Sequence, residues 1–159
     1  MITFEKGNNK FNFRVAGMML HKNRILLHTT LKDDFWNLPG GRVEFREDTS
    51  RTLIREIREE LDIEVQVDKL GFIREDFFEY DGKNYHEIGF YYFVSIPDDH
   101  EIATRQGEFY GVEDHGRLIF KWFPLDALDT INVYPENLRT ELLEVRDGTS
   151  IKHYINHSS

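Results

Sequence analysis

The chain of 159 residues contains no cysteine, which excludes disulfides and thiolate metal sites and fits a reducing compartment. No stretch approaches the roughly 18 consecutive apolar residues of a membrane span, and the opening "MITFEKGNNKFNF" has no apolar signal-peptide core. A cytoplasmic location without membrane attachment is therefore expected. Positive charge is also scarce: a net charge of −9 argues against binding a nucleic-acid duplex, whose backbone takes a basic face. A polyanionic small molecule would need a cation between itself and the protein. Internal repeats, low-complexity tracts and linkers are absent, so residues 1–159 read as one domain.

What is present suits a soluble globular protein, with 14% aromatic residues pointing to a sheet with aromatic faces. "KFNFRVAGMML" alternates from Lys10, with Phe11, Phe13 and Val15 on one face and Lys10, Asn12 and Arg14 on the other. That pattern predicts a strand with one buried face. "HKNR" supplies a polar turn and "ILLHT" the returning strand, before "DDFWNLPGG" breaks the pattern. "EVQVDKLGFIREDFFEY" and "KNYHEIGFYYFVSI" predict two long strands joined at Asp81-Gly82, with their aromatics as sheet core. Pro97 to Gly116 reads as a long acidic loop, "RLIFKWFPL" as a strand, "PLDAL" as a helical turn and "PENLRTELLEV" as a closing helix. From Gly148 the tail is short and polar. The fold class is α/β (α+β).

Asp48, Thr49 and Ser50 can each cap a helix running to about Leu61, whose packing stripe is Leu53, Ile54, Ile57 and Leu61. At about 100° per residue, Glu56, Glu59 and Glu60 share an adjacent arc of roughly the same width. Glu56 and Glu60 repel at their i, i+4 spacing, and negative charge near a helix C-terminus opposes the macrodipole. A divalent cation offsets both penalties, and carboxylate oxygens on one face suit Mg²⁺ or Mn²⁺. A solvated acidic face is the alternative.

Gly41, Glu47, Arg55, Glu56, Ile57, Glu59, Glu60 and Ile63 occupy the spacing of a glycine, a glutamate and an Arg-Glu-apolar-x-Glu-Glu run. This segment resembles the signature of the Nudix hydrolases. Asp62 departs from it, standing where that signature has glycine; aspartate tolerates the left-handed conformation better than most residues, so a modest stability cost is expected. The resemblance extends to the preceding hairpin, "WNLPGG" and the late Trp-Phe-Pro-Leu segment.

The resemblance implies a Nudix-type α/β/α sandwich with a mixed β-sheet and metal-dependent hydrolysis of a nucleoside diphosphate derivative. It assigns Glu56, Glu59 and Glu60 to metal binding and water activation, with Glu56 as the base. Arg55 is expected to reach Glu47 and hold the segment rigid, Gly41 to offer a carbonyl ligand, and Glu47 to be a further metal-binding residue. A further acid is expected from the long loop, from Glu113 or Glu108 with Glu101 behind them. Arg14 is a candidate phosphate contact, while Gly40 admits the backbone to the site. Trp36, Phe77, Phe78 and Tyr80 are candidates for stacking on a base. The competing class is a nucleotide-sensing module of the same fold without catalysis. The aromatic strands could also support a homodimer.

Overall fold

The computed structural model describes residues 1–157. The chain opens with β1 (Thr3–Lys6), β2 (Asn9–His21) and β3 (Arg24–Thr29), followed by the short β4 (Trp36–Asn37) and β5 (Gly40–Arg42). Helix α1 (Thr49–Leu61) precedes the long hairpin of β6 (Gln66–Tyr80) and β7 (Lys83–Ser95). Then come β8 (Phe109–Tyr110), β9 (Ile119–Pro124), β10 (Val133–Tyr134), helix α2 (Leu138–Arg146) and β11 (Lys152–His157). The main path of the sheet runs β10-β4-β3-β2-β7-β6-β11. It is mixed, because β2 runs parallel to β7 while β7 runs antiparallel to β6.

A helix covers each face. Leu53, Ile57 and Leu61 of α1 pack with Val15, Met19, Val94 and Phe120, whereas Leu138, Leu142 and Val145 of α2 pack with Ala16, Met18, Phe72 and Tyr91. Alternate residues of β2 therefore feed two cores, which produces the expected α/β/α layering. Among the described residues, no helix is long and apolar enough to cross a membrane.

Several local expectations change. The "polar" face of β2 is not a solvent face: Asn12 is buried, whereas Phe11 and Phe13 are only half-buried. The polar tail yields β11, an edge strand paired in parallel with β6. The loop at 97–116 is packed rather than loose. Its Ile102, Ala103 and Phe109 are buried, and Trp122 Nε1–H donates to the Ile102 carbonyl at 2.8 Å.

Candidate active site

The site is assembled where β5 and α1 meet. β5 pairs with β2 so closely that a Cβ on Gly40 would lie 2.1 Å from the Val15 carbonyl oxygen. At Gly41 a Cβ would lie 2.6 Å from the carboxyl carbon of Glu56. Glycine is thus required twice: first so that two backbones can touch, then so that a carboxylate can touch a backbone.

Helix α1 starts where Asp48 accepts the Arg51 N–H at 2.9 Å. It ends at Asp62, whose φ of 56° and ψ of 41° are left-handed and whose N–H donates to the Arg58 carbonyl at 2.8 Å. Between these caps, Arg55 organises the acids. Its Nε donates to Glu47 Oε2 at 3.0 Å and its Nη2 to Glu47 Oε1 at 3.0 Å. Nη1 donates to Glu59 Oε1 at 3.0 Å and more weakly to Glu56 Oε1 at 3.4 Å. Thr52 Oγ1 also donates to Glu47, at 2.9 Å. Bonds from Arg55 and Thr52 hold the Glu47 carboxyl below its ordinary range.

Glu60 is the unusual member. It is only 4% exposed, and its Oε2 has no hydrogen-bond partner. Burial pushes its carboxyl up to about 8, helped by the charges of Glu56 and Glu113 and opposed by Arg14 and Arg117. Burial also raises Glu56, with Arg55 acting against it. Two neighbouring covered carboxylates, one with an orphaned oxygen, form a donor set that fits a hard divalent cation. The fit is incomplete in one respect. Among the described residues, no three acidic or histidine side chains stand at metal-binding spacing. Glu59 remains 44% exposed in its pair with Arg55.

The long loop reaches the end of α1 through the Val112 N–H, which donates to the Glu60 carbonyl at 2.8 Å. That bond places Glu113 near enough for its charge to bear on both Glu56 and Glu60. Glu108 is exposed, and Glu101 is engaged by Arg105 at 2.8 Å. Of the three loop acids proposed from sequence, Glu113 is the one brought to the site.

A cleft of about 990 Å³ adjoins these acids, lined by Arg14, Gly40, Glu60 and Arg117 and also by Phe78, Tyr80, Tyr85 and Tyr134. Arg14 Nη2 donates to the Leu38 carbonyl at 2.9 Å, while its buried Nε has no partner. Tyr80 donates to Asp33 at 3.1 Å. Trp36 is placed elsewhere: its ring stands edge-on to Phe123 at 4.7 Å and packs on the core beside α2. Its neighbour Phe35 lines the cleft instead. Phe77 also turns away, stacking on His157 at 4.4 Å.

Sequence reasoning missed Asn12, His28, Glu87, Arg117 and Tyr134, all of which line the cleft. Only Asn12 carried a signal, as the polar neighbour of Arg14 in the alternation of β2. His28 is kept neutral, its imidazole pushed down to about 3 first by burial and then by Arg14.

A family model described as a NUDIX domain matches residues 11–142. The 8-oxo-dGTP diphosphatase of Buchnera aphidicola is 28% identical over 127 residues, covering 77% of this chain and 85% of that protein. Among solved structures, a MutT protein from Bacillus halodurans aligns with a TM-score of 0.64 at 19% identity, over 93% of this chain and 90% of that one. The E. coli ORF135 protein aligns at 0.58 and 23% identity, over 86% and 91% respectively. At these identities, the two structures speak for the fold.

Proposed function

The chain belongs to the Nudix family of pyrophosphohydrolases, and we propose that it splits the pyrophosphate of a nucleoside diphosphate derivative with the help of Mg²⁺ or Mn²⁺. The observation that carries this reading is the buried Glu60, with its unpartnered oxygen, next to a Glu56 carboxylate pressed against Gly41. A solvated acidic face would leave neither acid covered.

Glu56 and Glu60 would hold the cation, with Gly41 offering backbone oxygen and Glu59 and Glu113 completing the acidic surround. When bound, the cation neutralises charge on the pyrophosphate and polarises its P–O bonds. Arg14 and Arg117, on the cleft wall beside Glu60, suit the remaining phosphate charge. Water forms the new P–O bond as the bridging P–O bond breaks. Glu56 would take the proton from that water through a carboxylate oxygen that the cation leaves free. Arg55 touches no reacting atom in this scheme. It positions Glu47, Glu56 and Glu59 through a single guanidinium. A cytoplasmic location would supply both nucleotides and Mg²⁺.

The test is a panel of nucleoside triphosphates, including 8-oxo-dGTP, together with nucleotide sugars, ADP-ribose and dinucleoside polyphosphates, assayed with Mg²⁺ and with a chelator. Mg²⁺-dependent release of pyrophosphate identifies a triphosphate substrate, whereas two monophosphates identify a substituted diphosphate. Absence of hydrolysis across the panel would remove the reading.

A further inference from the structure

The cleft face of the sheet is built in rows across three strands. Register places Lys10, Tyr85 and Phe78 side by side, then Asn12, Glu87 and Asp76, then Arg14, Gly89 and Arg74. An aromatic row therefore borders an acid and amide row, which borders the arginine row nearest the phosphate-facing wall.

Within the middle row, Asp76 is fully committed. Arg74 donates to it through Nε at 3.0 Å and Nη2 at 2.8 Å, and Tyr134 donates to it at 2.8 Å. Glu87 is not. It is only 6% exposed, and its two contacts are both long, Asn12 Nδ2 at 3.4 Å and Tyr134 Oη at 3.4 Å. A hydroxyl carries one proton, and that of Tyr134 has its shorter bond to Asp76, so Glu87 Oε1 lacks a committed donor. Arg74 cannot turn to it, being engaged by Asp76 and Glu141. Asn12 is fixed from behind, its Oδ1 lying 2.7 Å from Thr3 Oγ1, which directs its amide N–H toward Glu87. The result is a buried carboxylate that faces the cleft with acceptor capacity to spare.

The neighbouring row tells what kind of donor would arrive. Phe78 and Tyr85 stack with centroids 5.1 Å apart and 8° between their planes, and Tyr134 tilts toward Phe78 at 5.4 Å. Aromatic faces hold a flat heterocycle, whose edge then meets the next row of the sheet. Resting on the nucleotide reading above, we infer that Glu87, positioned by Asn12 and Tyr134, selects a base with two adjacent N–H donors on one edge, the pattern of guanine. Guanine presents its ring N1–H and its exocyclic amine side by side, matching the two oxygens of a carboxylate. Adenine sets an acceptor nitrogen beside its amine, and hypoxanthine lacks the amine. Burial raises the Glu87 carboxyl, helped by the charge of Asp76 and opposed by Arg14 and by the bonds from Asn12 and Tyr134, so two N–H donors arriving from a base would favour its ionised form.

Equilibrium titration of the full chain with GMP, IMP and AMP, followed by calorimetry, tests the assignment. GMP should bind about 10- to 100-fold more tightly than IMP, the range of a charge-assisted hydrogen bond, and AMP should bind no better than IMP. Glu87→Gln should bring GMP to the level of IMP, with circular dichroism confirming the fold. The GMP and IMP arms on the unaltered protein decide the matter even if the variant misfolds. Equal affinities, or a preference for AMP, would overturn the assignment. Parallel hydrolysis of GTP, ITP and ATP separates the two readings: cleavage without base preference removes the role of Glu87 alone, whereas base-selective binding without cleavage removes the hydrolase reading alone.

Discussion

Arg74 on the sheet and Glu60 on α1 are both buried ionisable groups, and the protein surrounds them in opposite ways. Arg74 is closed on all sides, with Asp76 and Glu141 accepting from its guanidinium and Tyr134 adding a donor to Asp76. Glu60 has an orphaned oxygen, with the further acids Glu56 and Glu113 nearby and Arg14 and Arg117 as the cations that act on it. Closed charge of the first kind orders a core. An open acid of the second kind is kept neutral by its own burial, at a cost in stability, and ionises when a cation binds. Glu87 stands between them, in the same row as the closed cluster yet short of donors.

The largest effects should separate these regions by what each one breaks. Glu56→Gln should lower hydrolysis by about 10²- to 10⁴-fold, the usual worth of a positioned base, while leaving the denaturation midpoint nearly unchanged. An unaltered rate would take Glu56 out of that role. Arg74→Met should do the reverse. It strands Asp76 and Glu141 without their counterion and should cost about 3–5 kcal/mol in urea unfolding. A loss below about 1 kcal/mol would show that the cluster is less closed than its bonds imply.

Next in size is the response to the cation. Mg²⁺ at about 100 times its dissociation constant should stabilise the protein by about 2.7 kcal/mol, and a chelator should remove that gain. Glu60→Gln should abolish the response and raise the melting temperature of the metal-free protein at pH 7, because an amide replaces a buried acid that must take up a proton to fold. A variant that still gains stability from Mg²⁺ would place the ion elsewhere.

His28 gives a smaller, pH-dependent test. Its folded value of about 3 lies below the ordinary 6.5, so the unfolded chain binds the extra proton between those values. Stability from the neutral ring is complete above about pH 6.5 and falls by about 1.4 kcal/mol per unit as pH drops below it. His28→Gln should lack that slope in urea titrations at pH 7 and 5. Parallel slopes would mean that the ring is hydrated in solution.

The same contrast explains what could be read from sequence. Helix α1 was legible because its cap, its apolar stripe and its acids all lie within one local stretch, where spacing alone sets direction. Arg14 was legible for the same reason, through the alternation of β2. Glu87, Asp76 and Arg74 were not, because each looks like an ordinary charge in an aromatic strand until β2, β7 and β6 are set in register. The face that Trp36 takes is not legible in the sequence because β4 has only two residues, too few for alternation to reveal it. Glu113 could not be told from Glu108 because its position depends on one backbone bond from Val112 to the end of α1.

Asp62 closes α1 at the edge of the open region and offers the smallest test. Its backbone is left-handed, at φ 56°, where a side chain is strained and glycine is not. Asp62→Gly should relieve that strain, but glycine also enlarges the unfolded ensemble by about 0.4–1 kcal/mol. The two terms oppose, leaving a net gain of about 1 kcal/mol or less. Urea titrations of the variant with Mg²⁺ and with a chelator then show whether the gain belongs to the backbone alone. An equal gain in both conditions assigns Asp62 to the helix end, whereas a gain that appears only with Mg²⁺ would tie this residue to the geometry of Glu59 and Glu60.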